Sequence, residues 1–143
     1  MLLIKKGNVL DAEEPVILHQ VNVFGSIGGL AEQLAKKYEK EYDMYKNFCF
    51  DNNCDYDILK GKYLRTGRVV HCFTQDPTRK TDYISLDVCL TDFFKENPDV
   101  TVIAIPYKYG CGMAIGRWET VESIYIDISN KYNKDVVVYK LED

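Results

Sequence analysis

Short apolar runs alternate along this chain with longer stretches whose apolar residues recur every three or four positions. The runs at residues 2–5, 16–21, 67–74, 100–106 and 135–141 are rich in valine and isoleucine, the composition of strands buried on both faces. Residues 62–67, "KYLRTG", add a candidate strand, with Thr66-Gly67 as the turn into the next one. The first helical pattern covers 30–46, with Leu30, Leu34, Tyr38, Tyr42 and Tyr45 near one face. A second starts near Asp82, carries Tyr83, Leu86, Leu90 and Phe93, and stops at Asn97-Pro98. A third starts near Trp118 and repeats through Val121, Ile124 or Tyr125, and Ile128. Strands alternating with helices predict an α/β fold, a largely parallel sheet with helices on both faces. No repeat, low-complexity tract or linker interrupts the pattern, so residues 1–143 read as a single domain.

Composition narrows the class. Apolar residues make up 46% and charged residues 28% of the 143, a globular balance. No apolar stretch approaches the ~20 residues that span a bilayer, and "MLLIKKGNVLD" reads as a first strand rather than a secretory signal. A net charge of −4 gives nucleic acid no help from bulk electrostatics. The five cysteines, Cys49, Cys54, Cys72, Cys89 and Cys111, lack paired spacing, and only His19 and His71 could complete a metal site. Reduced thiols in a cytoplasmic protein, with no metal, are the expectation.

The candidate chemistry lies where strands hand over to helices. "VNVFGSIGGLAEQL", residues 21–34, places Gly25, Gly28 and Gly29 between a strand and a helix. "TVIAIPYKYGCGMAIGRWETVESIYIDI" repeats the arrangement with Gly110, Gly112 and Gly116. Neither matches the P-loop or dinucleotide fingerprints. Glycine there lets a ligand approach the backbone, and helix N-termini attract anions. Two such turns at the carboxyl ends of buried strands predict a crevice for two linked phosphates.

These motifs resemble a macro domain, the ADP-ribose-binding module, over nearly the whole chain. "KKGNVLD" resembles its opening element, "VILHQVNVFGSIGGLAEQLAKKY" its first ligand loop and helix, "IPYKYGCGMA" its diphosphate loop and "DVVVYKLED" its last strand. His19-Gln20-Val21-Asn22 and Tyr109-Gly110-Cys111-Gly112 are similar to the branch of terminal ADP-ribose glycohydrolases and ADP-ribose-1''-phosphate phosphatases. The resemblance implies a three-layer α/β/α fold with a mixed, largely parallel sheet. It implies that ADP-ribose or an ADP-ribosylated substrate is the partner, with nucleic acid expected only as such a substrate, and that no cofactor is needed. Asn8 stands where the family usually has an adenine-contacting aspartate, and Asn22 would meet the distal ribose. Gly28, Gly29 and Leu30 would line one side of the diphosphate and distal ribose. Gly110, Cys111, Gly112 and Met113 would line the other, with Arg117 available to clamp a phosphate.

Two residues carry the expectation of hydrolysis. Lys80, three residues before Tyr83, resembles the K-x-x-Y of the glycohydrolases, whose lysine attacks the distal ribose through Schiff-base chemistry. His19 occupies the place of a histidine that acts on the terminal phosphate in the phosphatases. The aspartate that relatives carry in the second loop is replaced by Ala114 and Arg117 at its two usual places, with Glu119, Asp76 or Asp82 as substitutes. Lys80 and His19 therefore favour an enzyme, and Ala114 and Arg117 a non-catalytic reader of ADP-ribose.

Overall fold

A computed structural model describes residues 1–25, 30–108 and 116–141. Among these residues the strands are β1 (Leu2–Lys6), β2 (Ile17–Val21), β3 (Tyr63–Thr66), β4 (Val69–Phe73), β5 (Val102–Pro106) and β6 (Asp135–Lys140). They form one sheet in the order β1-β6-β5-β2-β4-β3. Every neighbouring pair is parallel except β3 with β4, which is antiparallel. The sheet is thus mixed and largely parallel, as the sequence predicts. β3 joins β4 through Gly67 at φ +64°, a left-handed conformation that glycine adopts without strain. That turn explains why β4 starts at Val69 rather than at residue 67.

The helices are α1 (Leu30–Lys37), α2 (Glu39–Asp51), α3 (Tyr56–Leu59), α4 (Tyr83–Glu96) and α5 (Trp118–Tyr132), with a 3-10 turn at Val9–Asp11. Strand alternation sorts them onto two faces. Leu18, Val70, Cys72, Ile103, Ile105 and Val138 point to one face and pack under α4 and α5, against side chains such as Leu90, Phe93 and Tyr125. On the opposite face Ile17, Ala104 and Val137 pack on Val9 and Ala12 by the 3-10 turn. Val21 and Phe73, on that same face, pack on Tyr45 and Cys49 of α2 and Leu59 of α3.

Element ends follow their caps. Asp82 Oδ1 accepts from Ser85 N at 3.1 Å at the start of α4. Asn97 closes that helix by donating from Nδ2 to Phe93 O at 2.8 Å, just before Pro98. α5 ends at Asn133 with φ 53°, the left-handed exit that asparagine tolerates. No helix among the described residues is long and apolar enough to cross a membrane.

One helix predicted over 30–46 is two. The chain turns at Tyr38 (φ −123°, ψ 62°) and α2 then runs on to Asp51. The halves serve different neighbours. Lys37 Nζ at the end of α1 donates to Leu10 O within the 3-10 turn, whereas Tyr45 and Cys49 of α2 bury against β2 and β4. A straight helix would not reach both. Cys49 is accordingly a buried helical residue, and Cys54 follows it in a turn where Asn53 and Cys54 both have positive φ. α3 has four residues, too few to show a period in sequence.

Candidate functional site

The order β5-β2-β4 puts three parallel strands side by side, so the segments leaving their carboxyl ends emerge together. These are the first loop after Val21, the segment carrying Lys80 after Phe73, and the second loop after Pro106. In open α/β sheets this edge is where ligands sit. Gly28, Gly29, Gly110, Cys111, Gly112, Met113 and Ala114 lie outside the described residues. Of Leu30 the structure gives only its place as the first residue of α1.

The described part of the first loop is tightly organised. Asn22 Oδ1 accepts from Phe24 N at 2.9 Å, a local Asx turn. Tyr45 Oη of α2 donates to Asn22 O at 2.7 Å and lies 3.2 Å from Asn22 Oδ1. Tyr42 Oη, one turn earlier, donates to Gly25 O at 2.7 Å. Gly25 has φ +71°, and a Cβ there would come within 3.3 Å of Lys46 Cγ, so the loop lies against α2 at that point.

Behind the loop is a buried polar chain. His19 and His71 are paired across β2 and β4, with His19 Nε2 3.0 Å from His71 Nδ1 and His71 Nε2 2.8 Å from Thr66 Oγ1. Thr66 Oγ1 also donates to Val69 O at 3.3 Å. That bond makes Thr66 the acceptor from His71 Nε2–H, and His71 Nδ1 the acceptor from His19 Nε2–H. Burial holds His71 neutral, its pKa lowered to about 4. Burial and then the neighbouring His71 lower that of His19 well below its ordinary value. His71 also stacks on Tyr45, 5.2 Å between ring centres and 11° between planes. His19, expected to face a phosphate, is 5% exposed, with Nε2 committed to His71.

Lys80 lies on a segment built around Asp76. Asp76 Oδ1 accepts from Thr78 N (2.8 Å), Thr78 Oγ1 (2.6 Å) and Lys80 N (3.0 Å). Partial burial pushes the Asp76 carboxyl upward, but these hydrogen bonds and the Lys80 charge outweigh it, and the pKa is lowered overall. Arg79 has φ +71°, and the side chain of Lys80 is exposed. Asp82 caps α4 with one oxygen and accepts from Tyr56 Oη at 2.9 Å with the other. Asp76 and Asp82, the nearby candidates for a substitute acid, thus have structural partners.

The second loop is gripped at both described ends. Tyr107 and Trp118 meet edge to face, 5.1 Å apart, and Lys140 Nζ sits 4.7 Å from the centre of the Tyr107 ring. Arg117 precedes α5 with an exposed side chain, and its backbone N–H donates to Tyr83 Oη at 2.8 Å. The tyrosine of Lys80-Thr81-Asp82-Tyr83 therefore ties the Lys80 segment to the exit of the second loop.

Asn8 lies by the chain start, where its Oδ1 accepts from Leu10 N at 3.0 Å and caps the 3-10 turn. A cavity of about 350 Å³ opens between Phe24 of the first loop, Asn53 to Asp57, and Pro77 of the Lys80 segment. Sequence reasoning missed Tyr42, Tyr45 and His71. Their signals were present: two tyrosines three apart on one helix face, and a histidine in the middle of each of two apolar strand runs.

Several known structures of similar shape are macrodomains. The macrodomain of Mycobacterium tuberculosis DarG superposes with a TM-score of 0.81 at 21% identity, covering 97% of each chain. A macrodomain protein from Streptomyces coelicolor gives 0.78 at 18% identity, covering 98% of this chain and 99% of its own. Thermosipho africanus DarTG, solved in complex with ADP-ribose, gives 0.75 at 16% identity over 96% of this chain and 41% of its own. No family model and no curated protein matches the sequence. The architecture defined by strand order and layers is the macrodomain fold.

Proposed function

We propose that this chain binds ADP-ribose at the β5-β2-β4 edge and hydrolyses an ADP-ribose derivative there, releasing ADP-ribose from a modified target. The observation that carries the reading is the convergence of the first loop, the Lys80 segment and the second loop on three adjacent parallel strand ends. It is supported by the shape shared with part of Thermosipho africanus DarTG, a protein solved in complex with ADP-ribose. Asn22 would meet the distal ribose, and the two glycine turns, Gly28-Gly29 with Leu30 and Gly110 to Met113, would hold the diphosphate through backbone amides. Asn8 would sit by the adenine and Arg117 by a phosphate.

Of the two catalytic candidates the reading rests on Lys80. Its segment is fixed by Asp76 and joined to the second loop through Tyr83, whereas the His19 imidazole is engaged in the core. Removal of a terminal phosphate through His19 is correspondingly less well supported than attack by Lys80 on the distal sugar. The second reading, a reader without turnover, is favoured by Ala114 and Arg117 at the acid's places and by the structural partners of Asp76 and Asp82.

Calorimetric titration with ADP-ribose, AMP and NAD tests the ligand. Tight binding of ADP-ribose with much weaker AMP is expected, and no heat with any of them would remove the reading. Release of ADP-ribose from mono-ADP-ribosylated protein and DNA, by wild type and Lys80→Ala, separates the two readings. Hydrolysis requires turnover that falls at least about 100-fold in the variant while ADP-ribose affinity stays within a few-fold. Absence of turnover in the wild type leaves the reader.

A further inference from the structure

Asn22 lies one residue past the last ladder position of β2, so the sheet does not fix it. Two side chains of α2 hold it and its loop. Tyr42 and Tyr45 are three apart on one helix face, and their hydroxyls grip the loop at two carbonyls, Gly25 O and Asn22 O, both at 2.7 Å. The Tyr45 proton is shared with Asn22 Oδ1 at 3.2 Å, while Phe24 N reaches the same oxygen at 2.9 Å. Two donors on Oδ1 set which way round the amide sits.

The Tyr45 ring is itself held. It is 2% exposed, stacked on His71, and 6.1 Å from the Phe73 ring centre. His71 is tied in turn to Thr66 and His19. Burial keeps the phenol protonated, so its hydroxyl stays a donor.

We infer that Tyr45 is the positioning residue that aims Asn22 at the distal sugar of the nucleotide, and that it thereby sets discrimination between ADP-ribose and nucleotides ending at the diphosphate. Tyr42, acting on Gly25 at the entry to residues 26–29, governs the phosphate side common to both. This rests on the reading of Asn22 as the ribose contact.

The test titrates wild type, Tyr45→Phe and Tyr42→Phe with ADP-ribose and with ADP, which has no distal ribose. Tyr45→Phe is expected to lose about tenfold in ADP-ribose affinity with ADP kept within twofold, and Tyr42→Phe to weaken both ligands alike. Amide hydrogen exchange at residues 23–25 without ligand is expected to quicken in Tyr45→Phe. Loss of both ligands in equal proportion in Tyr45→Phe would mean a merely structural tyrosine and overturn the inference, as would unchanged exchange and unchanged affinities. If the wild type binds neither ligand yet exchange still quickens in Tyr45→Phe, it is the ribose reading of Asn22 that fails, and the selectivity role with it.

Discussion

The two faces of the sheet are built on different rules. Under α4 and α5 the contacts are apolar side chains at near-complete burial, among them Leu18, Ile103, Ile105, Leu90 and Phe93. On the opposite face, under α2, the buried set includes His19, His71, Thr66 and Tyr45, joined through directional hydrogen bonds. Non-directional burial stabilises the sheet but leaves a loop beyond it free to shift. Hydrogen bonds and ring stacking hold particular atoms in place, and on this face they end at Asn22 and Gly25. Both faces bury apolar side chains, and the face under α2 adds directional bonds that set loop geometry.

The largest effect should come from emptying the apolar face. Phe93→Ala removes a fully buried ring packed edge to face on Tyr63 and Phe94, and a cost of about 3–5 kcal/mol is expected in urea unfolding. The ADP-ribose to ADP affinity ratio of the folded fraction should not move. A changed ratio would break the division of labour between the faces.

The polar face should show itself in pH. The His71 pKa is about 4 in the folded chain against 6.5 ordinarily, so between those values the unfolded chain binds more protons. The stability that the neutral ring contributes is therefore fully present above about pH 6.5 and is lost as pH falls through that window towards 4. Its size is roughly 3 kcal/mol, since each pH unit between the two values is worth about 1.4 kcal/mol. Urea midpoints of wild type and His71→Gln from pH 4 to 7 measure it. The variant's slope should be flatter, and equal slopes would show that the histidine chain carries no such load.

Asn8 offers a gain rather than a loss. Its Oδ1 is used by Leu10 N, so the second oxygen of an aspartate would be left to accept from a base amino group. Asn8→Asp should raise ADP-ribose affinity about three- to tenfold by calorimetry. No gain would place the base elsewhere.

The smallest effect belongs to Tyr83→Phe. Losing the acceptor for Arg117 N at an exposed position should cost about 0.5–1 kcal/mol of stability. A larger drop in ADP-ribose affinity than in stability would show that the tie matters for the second loop rather than for the fold.

Much of the architecture was legible in the chain because its signals are local. Valine- and isoleucine-rich runs gave the strands, "KYLRTG" gave the edge hairpin, and Asp82 and Asn97-Pro98 bracketed α4 as its caps require. Glycines between strand and helix mark two candidate ligand turns in the sequence, with Gly28, Gly29, Gly110 and Gly112 outside the described residues. Asn8, Asn22, Lys80 and Arg117 could be singled out as types in a pattern, but not by what their atoms touch.

The break at Tyr38, the pairing of His19 with His71 and the grip of Tyr42 and Tyr45 on the first loop are not local properties. Periodicity reads Tyr38, Tyr42 and Tyr45 as one apolar stripe, since it measures the face a residue occupies and not the acceptor its hydroxyl meets. His19 and His71 are 52 residues apart and meet because β2 and β4 pair in one register. The sequence by itself determined the strands and most of the helices, through backbone propensity and hydrophobic period. Only the tertiary structure decided which polar atoms meet in the core and which loop they hold, because a hydrogen bond depends on position in space.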